Sequence, residues 1–220
     1  MSDMSGAYDG GATGVMSGIV VGTRVATTMG WRDVGGLQVG DMILTFDGGL
    51  QPVTGVSRSE LWSGEGACPA SFWPLMVPAG ALENVKPMRI LPRQGVMLES
   101  DIAEQALGDP FALIQARALD GVRGIERVCP GDQATVVKLS FDTDQVIYAE
   151  QGTLLFCPAG KDLLQVAIKE APEQSDYSFL PVHCATQLAQ GLEIRAAGRS
   201  CLESFQASLQ MSVHATQVAA

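Results

Sequence analysis

The stretch SGIVVGTRVATTMGWRDVGGLQVGDMILTFDGG, residues Ser17–Gly49, decides the fold class of this chain. Residues Thr23–Thr28 alternate between two faces and are followed by Gly30, a pattern typical of a short strand that ends in a turn. Residues Met42–Phe46 alternate in the same way, with their apolar side chains at every second position on one face. The Asp47–Gly49 tripeptide then favours a hairpin turn, because consecutive small residues tolerate positive φ angles. The stretch therefore predicts antiparallel β-structure.

Three further segments are predicted to be strands. Pro52–Val56 returns from the first turn as its partner strand, and Val136–Phe141 has the clearest alternation of apolar and polar residues in the chain. A turn at Thr143–Asp144 leads into Gln145–Tyr148, which we predict to complete a second hairpin with Val136–Phe141. With 25 glycines and 11 prolines, turn signals are frequent, which favours a mainly β fold over a helix bundle.

Helices are expected at few places. Asp101–Glu104 has the spacing of a capping box, and Gly108 would end the short helix that starts there. The segment that follows is either a strand as far as Ile114 with one helical turn after it, or a single helix from Pro110; we favour the first. After Pro181 the sequence becomes rich in alanine, leucine and glutamine with helical spacing, which predicts one or two helices near the C-terminus.

Composition excludes several classes of partner. The net charge is -10 and the isoelectric point is about 4.6, which argues against nucleic acids and anionic membranes as partners. No apolar run reaches the roughly 18 residues that span a bilayer. Residues 1–16 have neither the basic nor the apolar region of a secretory signal and are expected to be a flexible lead-in. We therefore expect a cytoplasmic protein.

The five cysteines are an odd number, are widely spaced and contain no Cys-x-x-Cys pair. They make a poor disulfide framework and a poor zinc site, and the chain has only two histidines to complete a metal site. Buried or unreactive thiols in a reducing compartment are the better interpretation. The sequence predicts no metal and no cofactor.

Several segments in order resemble the Hint module shared by hedgehog autoprocessing domains and inteins, in its bacterial hedgehog/intein-like form. They are GTRVATTMGWRDVGGLQVGDMILTFDGGLQPV, PLMVPAGAL, MRILPRQGVML, LIQARAL and VVKLSFDTDQVIYAEQGTLLF. The resemblance implies a twisted, horseshoe-like all-β domain over residues 17–158. A C-terminal extension, residues 159–220, would be partly helical, since FLPVHCATQLAQ is similar to the helical segment that follows the module.

The resemblance also implies where a nucleophile should lie. Such domains carry a cysteine a few residues before the Gly-Thr pair, often as Cys-Phe-x-Pro-Gly-Thr, and counting back from Gly22-Thr23 places it at Gly18. Glycine has no side chain and cannot perform an N-to-S acyl shift. Ser17 could perform the analogous N-to-O shift if its hydroxyl were activated, but a shift of one residue turns its side chain to the other face of the strand.

A second implied group is a histidine in the middle segment, often within Pro-Gln-His-Arg, that protonates the departing amine. Here LPRQGVML places Gln94 or Arg93 at that position, and neither has a pKa near neutrality. His183 is interpreted as a surface residue at a helix N-terminus, and His214 as part of a disordered tail. Asn84 is the sole asparagine and lies mid-chain, so the Asn cyclisation that ends protein splicing is excluded.

These observations predict a Hint-like domain that has lost its autoprocessing residues. We expect it to act as a non-catalytic binding or interaction module with a protein partner that the sequence does not identify. The alternative is a weak self-cleaving domain that uses Ser17.

Overall fold

The computed structural model describes residues 5–8, 12–131, 134–160 and 177–192. Within these ranges the chain forms many short antiparallel strands and two short α-helices, which confirms the mainly β fold class. Parts of the predicted lead-in form strands, at 5–8 and 12–15, whereas most of the predicted C-terminal extension, including Cys201 and His214, lies outside the described residues. No helix in the described ranges is long and apolar enough to cross a membrane.

Short strands follow one another along the chain, with few helical turns between them. The strands are β1 (Ser5–Tyr8), β2 (Ala12–Val15), β3 (Ile19–Val20), β4 (Arg24–Thr27), β5 (Gly30–Asp33), β6 (Met42–Thr45), β7 (Gly49–Pro52), β8 (Gly55–Glu60), β9 (Trp62–Ser63), β10 (Leu75–Val77), β11 (Met88–Ile90), β12 (Gly95–Glu99), β13 (Phe111–Gln115), β14 (Glu126–Arg127), β15 (Thr135–Ser140), β16 (Gln145–Ala149) and β17 (Thr153–Cys157). The α-helices are α1 (Asp101–Leu107) and α2 (Val182–Gly191), and the 3-10 helices are Val34–Gly36, Ala70–Phe72 and Ala116–Leu119.

The strands of the described ranges form three sheets. One has three strands in the order β1-β2-β9, and a second has six in the order β14-β10-β11-β3-β15-β8. The third has eight strands, with β13-β12-β17-β16-β4-β6-β7 in sequence and β5 beside β4. Strand β3, only two residues long, is therefore internal to the six-stranded sheet, with β11 on one side and β15 on the other.

The first hairpin is confirmed. Strands β6 and β7 pair through Thr45 and Gly49, and the Thr45 hydroxyl accepts a hydrogen bond from the Gly48 N–H across the turn. Gly49 has a φ of 64°, in the left-handed region that favours glycine. The predicted strand Pro52–Val56 is wrong, because the chain changes sheets there: the Val53 N–H donates to Asp41, whereas the Thr54 N–H donates to Ser140 in the other sheet.

The prediction of a second hairpin is also wrong, although the structure contains both of its strands. Strand β15 pairs with β3 and β8, whereas β16 pairs with β17, β4 and β6 in the other sheet. The connection between them passes from one sheet to the other and buries Phe141 in the core. The alternation of apolar and polar residues indicates that a strand has one buried face, but it does not indicate which strand pairs with it.

The predicted helices are confirmed with one change of cap. Helix α1 ends at Gly108, which has a φ of 79°, but its N-cap is Ser100, whose hydroxyl accepts a hydrogen bond from the Ile102 N–H. The favoured interpretation of the next segment also holds, since β13 is followed by one 3-10 turn. Helix α2 begins directly after Pro181, as expected.

Two hydrophobic clusters lie beneath the strands that position the site. The main core fills the space between the six- and eight-stranded sheets and contains Cys157 and Cys184, so these two thiols are buried as expected. Burial raises the pKa of the Cys157 thiol to about 12, which keeps it protonated and unreactive. A smaller cluster, the minor core, is formed by Val15, Val20, Leu61, Phe72, Leu91, Ala134 and Val136.

Candidate functional site

The candidate site forms where the segment before β3 meets the segment before β12. The Arg93 N–H donates a hydrogen bond of 2.8 Å to the Met16 carbonyl oxygen. Two residues further along, the Gly18 N–H donates a hydrogen bond of 2.9 Å to Oε1 of Gln94. The prediction that Gly18 or Ser17 lies near the segment that holds Arg93 and Gln94 is therefore confirmed.

Gln94 is buried, with 2% of its surface exposed, and its carboxamide is fully hydrogen-bonded. Its Oε1 accepts from Gly18, while its Nε2 donates to the Phe156 carbonyl at 2.7 Å and to the Gly95 carbonyl at 3.1 Å. One N–H donor on one side and two carbonyl acceptors on the other leave a single favourable orientation for the amide. The side chain therefore joins the start of β3 to β12 and β17.

The position expected for a nucleophile has no room for a side chain. Gly18 has a φ of 124°, which L-residues with a side chain rarely adopt. A Cβ added to Gly18 would lie 2.6 Å from Cγ1 of Val136 and 3.1 Å from the Val137 carbonyl oxygen. Both neighbours belong to β15, the strand that pairs directly with β3. A cysteine at this position would adopt a strained φ and would force Val136 to move.

The side chains of Ser17 and Arg93 take no part in the hydrogen bonds that Gln94 makes. Ser17 is buried, with 6% exposed, but the amide hydrogen that Gln94 accepts is that of Gly18. An acyl shift onto the Ser17 hydroxyl would instead break the peptide between Met16 and Ser17. The Arg93 side chain is exposed to solvent, and its contribution to the site is its backbone N–H.

The remaining candidates from the sequence lie elsewhere in the fold. His183 is exposed in the first turn of α2 and takes no part in the hydrogen bonds that join Gly18 and Gln94 to their neighbours. Asn84 is buried in a turn, where its amide donates to the carbonyls of Pro78 and Lys86 and accepts from the Leu82 N–H. Within the described residues, no group of three or more histidine, cysteine or acidic side chains could hold a metal ion.

Sequence reasoning missed two residues of the site, Gly95 and Phe156. A Cβ on Gly95 would lie 2.7 Å from the Cβ of Phe156, so glycine is what allows β12 and β17 to approach closely enough for the Gln94 amide to reach the Phe156 carbonyl. A glycine at the start of the strand segment GVML is the available signal for such a close approach.

Comparison with known proteins gives one family. A family model described as the Hint domain matches residues 18–154. Among curated proteins no sequence matches the chain. Similar solved structures include a bacterial intein-like domain from Clostridium thermocellum (12% identity, TM-score 0.46, covering 64% of this chain and 99% of that one). The gp41-1 intein (15% identity, TM-score 0.39) covers 64% of this chain and 98% of its own.

Proposed function

We propose, since this chain belongs to the Hint domain family, that it has lost self-cleavage and acts as a non-catalytic binding or interaction module. The observation that carries the proposal is the hydrogen bond between the Gly18 N–H and Oε1 of Gln94. In the family pattern, the peptide nitrogen at this position is the departing amine. Here it is joined to a carboxamide oxygen, which accepts a hydrogen bond but has no proton to give.

The chemistry of self-cleavage needs a nucleophile and a general acid at this peptide. Gly18 supplies no nucleophile, and the carboxamide of Gln94 does not titrate near neutral pH. General acid–base help alone is typically worth about 10² to 10⁴ in rate, so the loss of either group is severe. The loss of both supports a chain in which the former reaction centre holds strands together.

One observation favours Ser17 as a second candidate. The Met16 carbonyl, which the Ser17 hydroxyl would attack, accepts the Arg93 N–H at 2.8 Å, and such a donor stabilises developing negative charge on oxygen. Against it, Gln94 is bonded to the following amide and cannot protonate the amine that Ser17 would release. A serine hydroxyl also needs activation by a base to act as a nucleophile.

The deciding experiment is the intact mass of the purified full chain during long incubation with dithiothreitol or hydroxylamine. We expect the mass to stay that of the full chain, because these reagents trap only an ester or thioester and none should form. The control is Ser17→Ala, which should behave identically. A fragment that begins at Ser17 and is absent from Ser17→Ala would replace the proposal with the ester-forming alternative.

A further inference from the structure

Two cysteines that the candidate site does not use lie near each other at the surface. Cys68 is half-buried and Cys129 is exposed, unlike the buried Cys157 and Cys184. The two are far apart in sequence, which is why the spacing of the cysteines gives no sign of a pair. Both cysteines lie beside Trp73, Cys129 through the backbone pairing and Cys68 through the indole hydrogen bond.

The backbone places Cys129 opposite Trp73. Strands β10 and β14 pair in antiparallel register, with Leu75 opposite Arg127. The Val128 N–H then donates a hydrogen bond of 2.9 Å to the Pro74 carbonyl, which continues this register beyond the end of the two strands. One more step in the same register brings Cys129 to the level of Trp73. Directly opposed residues in such a pair have Cβ atoms about 5 Å apart.

The Trp73 side chain in turn binds Cys68. The indole Nε1 donates a hydrogen bond of 2.8 Å to the Cys68 carbonyl. A second connection runs from Nη1 of Arg127 to the Ala70 carbonyl at 3.4 Å, at the 3-10 turn that follows Cys68. The Arg127 bond and the register of β10 with β14 hold the 68–73 turn beside residues 127–129, and the Trp73 bond fixes Cys68 within that turn.

The electrostatics of Cys68 agree with this placement. Its pKa is raised, first by burial and second by the negative charge of a neighbouring Cys129 thiolate. The thiolate is the form that attacks a disulfide, so the raised pKa leaves less of Cys68 in its reactive form. The exposed Cys129 is then the first point of attack.

We propose that Cys68 and Cys129 form a reversible intramolecular disulfide by exchange with a small disulfide such as oxidised glutathione. The Cys129 thiolate attacks one glutathione sulfur, the glutathione S–S bond breaks, and one glutathione thiolate leaves. Cys68 then loses its proton and attacks Sγ of Cys129, and the second glutathione leaves. Two cysteine thiols are oxidised and one glutathione disulfide is reduced to two thiols.

The bond would act on the segment that leads into the candidate site. Cys68 packs against the minor core, as does Met16, whose carbonyl is bound by Arg93. The Phe72 ring of this core lies directly under Gly14 in β2. A Cys68–Cys129 disulfide would fix one of the residues that cover the minor core. Oxidation would therefore restrict the motion of the chain just before Gly18. The bond would form in the same way whether or not the site is catalytic.

The test uses the full chain under native conditions with oxidised glutathione, followed by alkylation of remaining thiols, intact mass and peptide mapping. We expect loss of two hydrogen atoms and one cross-linked peptide pair containing Cys68 and Cys129. Cys68→Ser should instead accumulate a glutathione adduct on Cys129. Cys201→Ser is the control for the fifth thiol and should still form the bond.

Two results would overturn the inference. One is stable glutathione adducts on Cys68 and Cys129 of the unsubstituted chain with no cross-link between them. The other is a cross-link from either residue to Cys201 that disappears in Cys201→Ser. Peptide mapping of the unsubstituted chain distinguishes these results from the expected one even if a serine variant folds poorly.

Discussion

Gly18 and Gln94 stabilise the fold where the segments before β3 and β12 meet. A side chain at Gly18 would collide with β15, and the buried Gln94 amide accepts from one backbone N–H and donates to two carbonyls. Buried polar groups without partners cost about 1–3 kcal/mol each. Each residue therefore has a role in stability that can be measured apart from any activity.

Replacing Gly18 with alanine should destabilise the protein more than replacing Gly22. Both have positive φ, 124° and 98°, so both alanines carry a backbone strain of about 1–2 kcal/mol. An added Cβ meets β15 at Gly18 but has nothing within 4 Å at Gly22. Overpacking adds about 1–3 kcal/mol at Gly18 alone. Urea unfolding of the two variants measures the difference, and equal losses would mean that β15 yields without cost.

Introducing a histidine with Gln94→His should lower stability without producing cleavage. A neutral imidazole has one donor and one acceptor, so at least one of the two carbonyls now bound by Nε2 loses its partner, at about 1–3 kcal/mol. The chain should keep its full mass, because Gly18 still offers no nucleophile. Arg93→His is the matched control, since that side chain is exposed and the change should stay within about 0.5 kcal/mol. Cleavage in Gln94→His would show that a nucleophile is already present.

At the scale of elements, the turns decide how the strands are arranged. The β16–β17 turn places Glu150 and Gln151 at positive φ, 42° and 73°. Glu150 is almost fully buried and accepts the backbone N–H of Arg24 at 2.7 Å and its guanidinium at 3.1 Å. This turn thereby attaches the end of β16 to the beginning of β4. By contrast, the pair Arg127–Asp120 lies at the surface, with about a third of each side chain exposed.

Glu150→Ala should therefore cost much more than Asp120→Ala. Removing the buried carboxylate leaves the Arg24 N–H and guanidinium without their partner, and such losses reach about 3–5 kcal/mol. The surface pair is screened by solvent and should be worth about 1 kcal/mol or less. Thermal or urea unfolding of both variants gives the comparison. Similar small losses in the two would mean that water replaces the carboxylate at Arg24.

For the whole molecule, the sequence predicted the elements better than their arrangement. Asp47–Gly49 carries its own turn chemistry, so the first hairpin could be predicted from local residues. The partners of β15 and β16 could not, because the same alternation suits either sheet. The contact between Gly18 and Gln94 could be predicted only from the order in which the family's segments follow one another. Gln94 joins the strands by a hydrogen bond to Phe156, and no local sequence pattern connects these two residues.

The internal position of β3 also constrains how the chain is made. Ile19 and Val20 leave the ribosome before both of their partners, which are Ile90 on one side and Val136–Val137 on the other. Neither edge of β3 can be paired until those later segments have been synthesised, and contacts so distant in sequence form slowly. The nascent chain therefore carries two apolar strand residues without their sheet neighbours until those segments have been made. The six-stranded sheet closes only after residues 135–140 have emerged, and until then the apolar surface and unpaired strand edges of the earlier segments are open to aggregation.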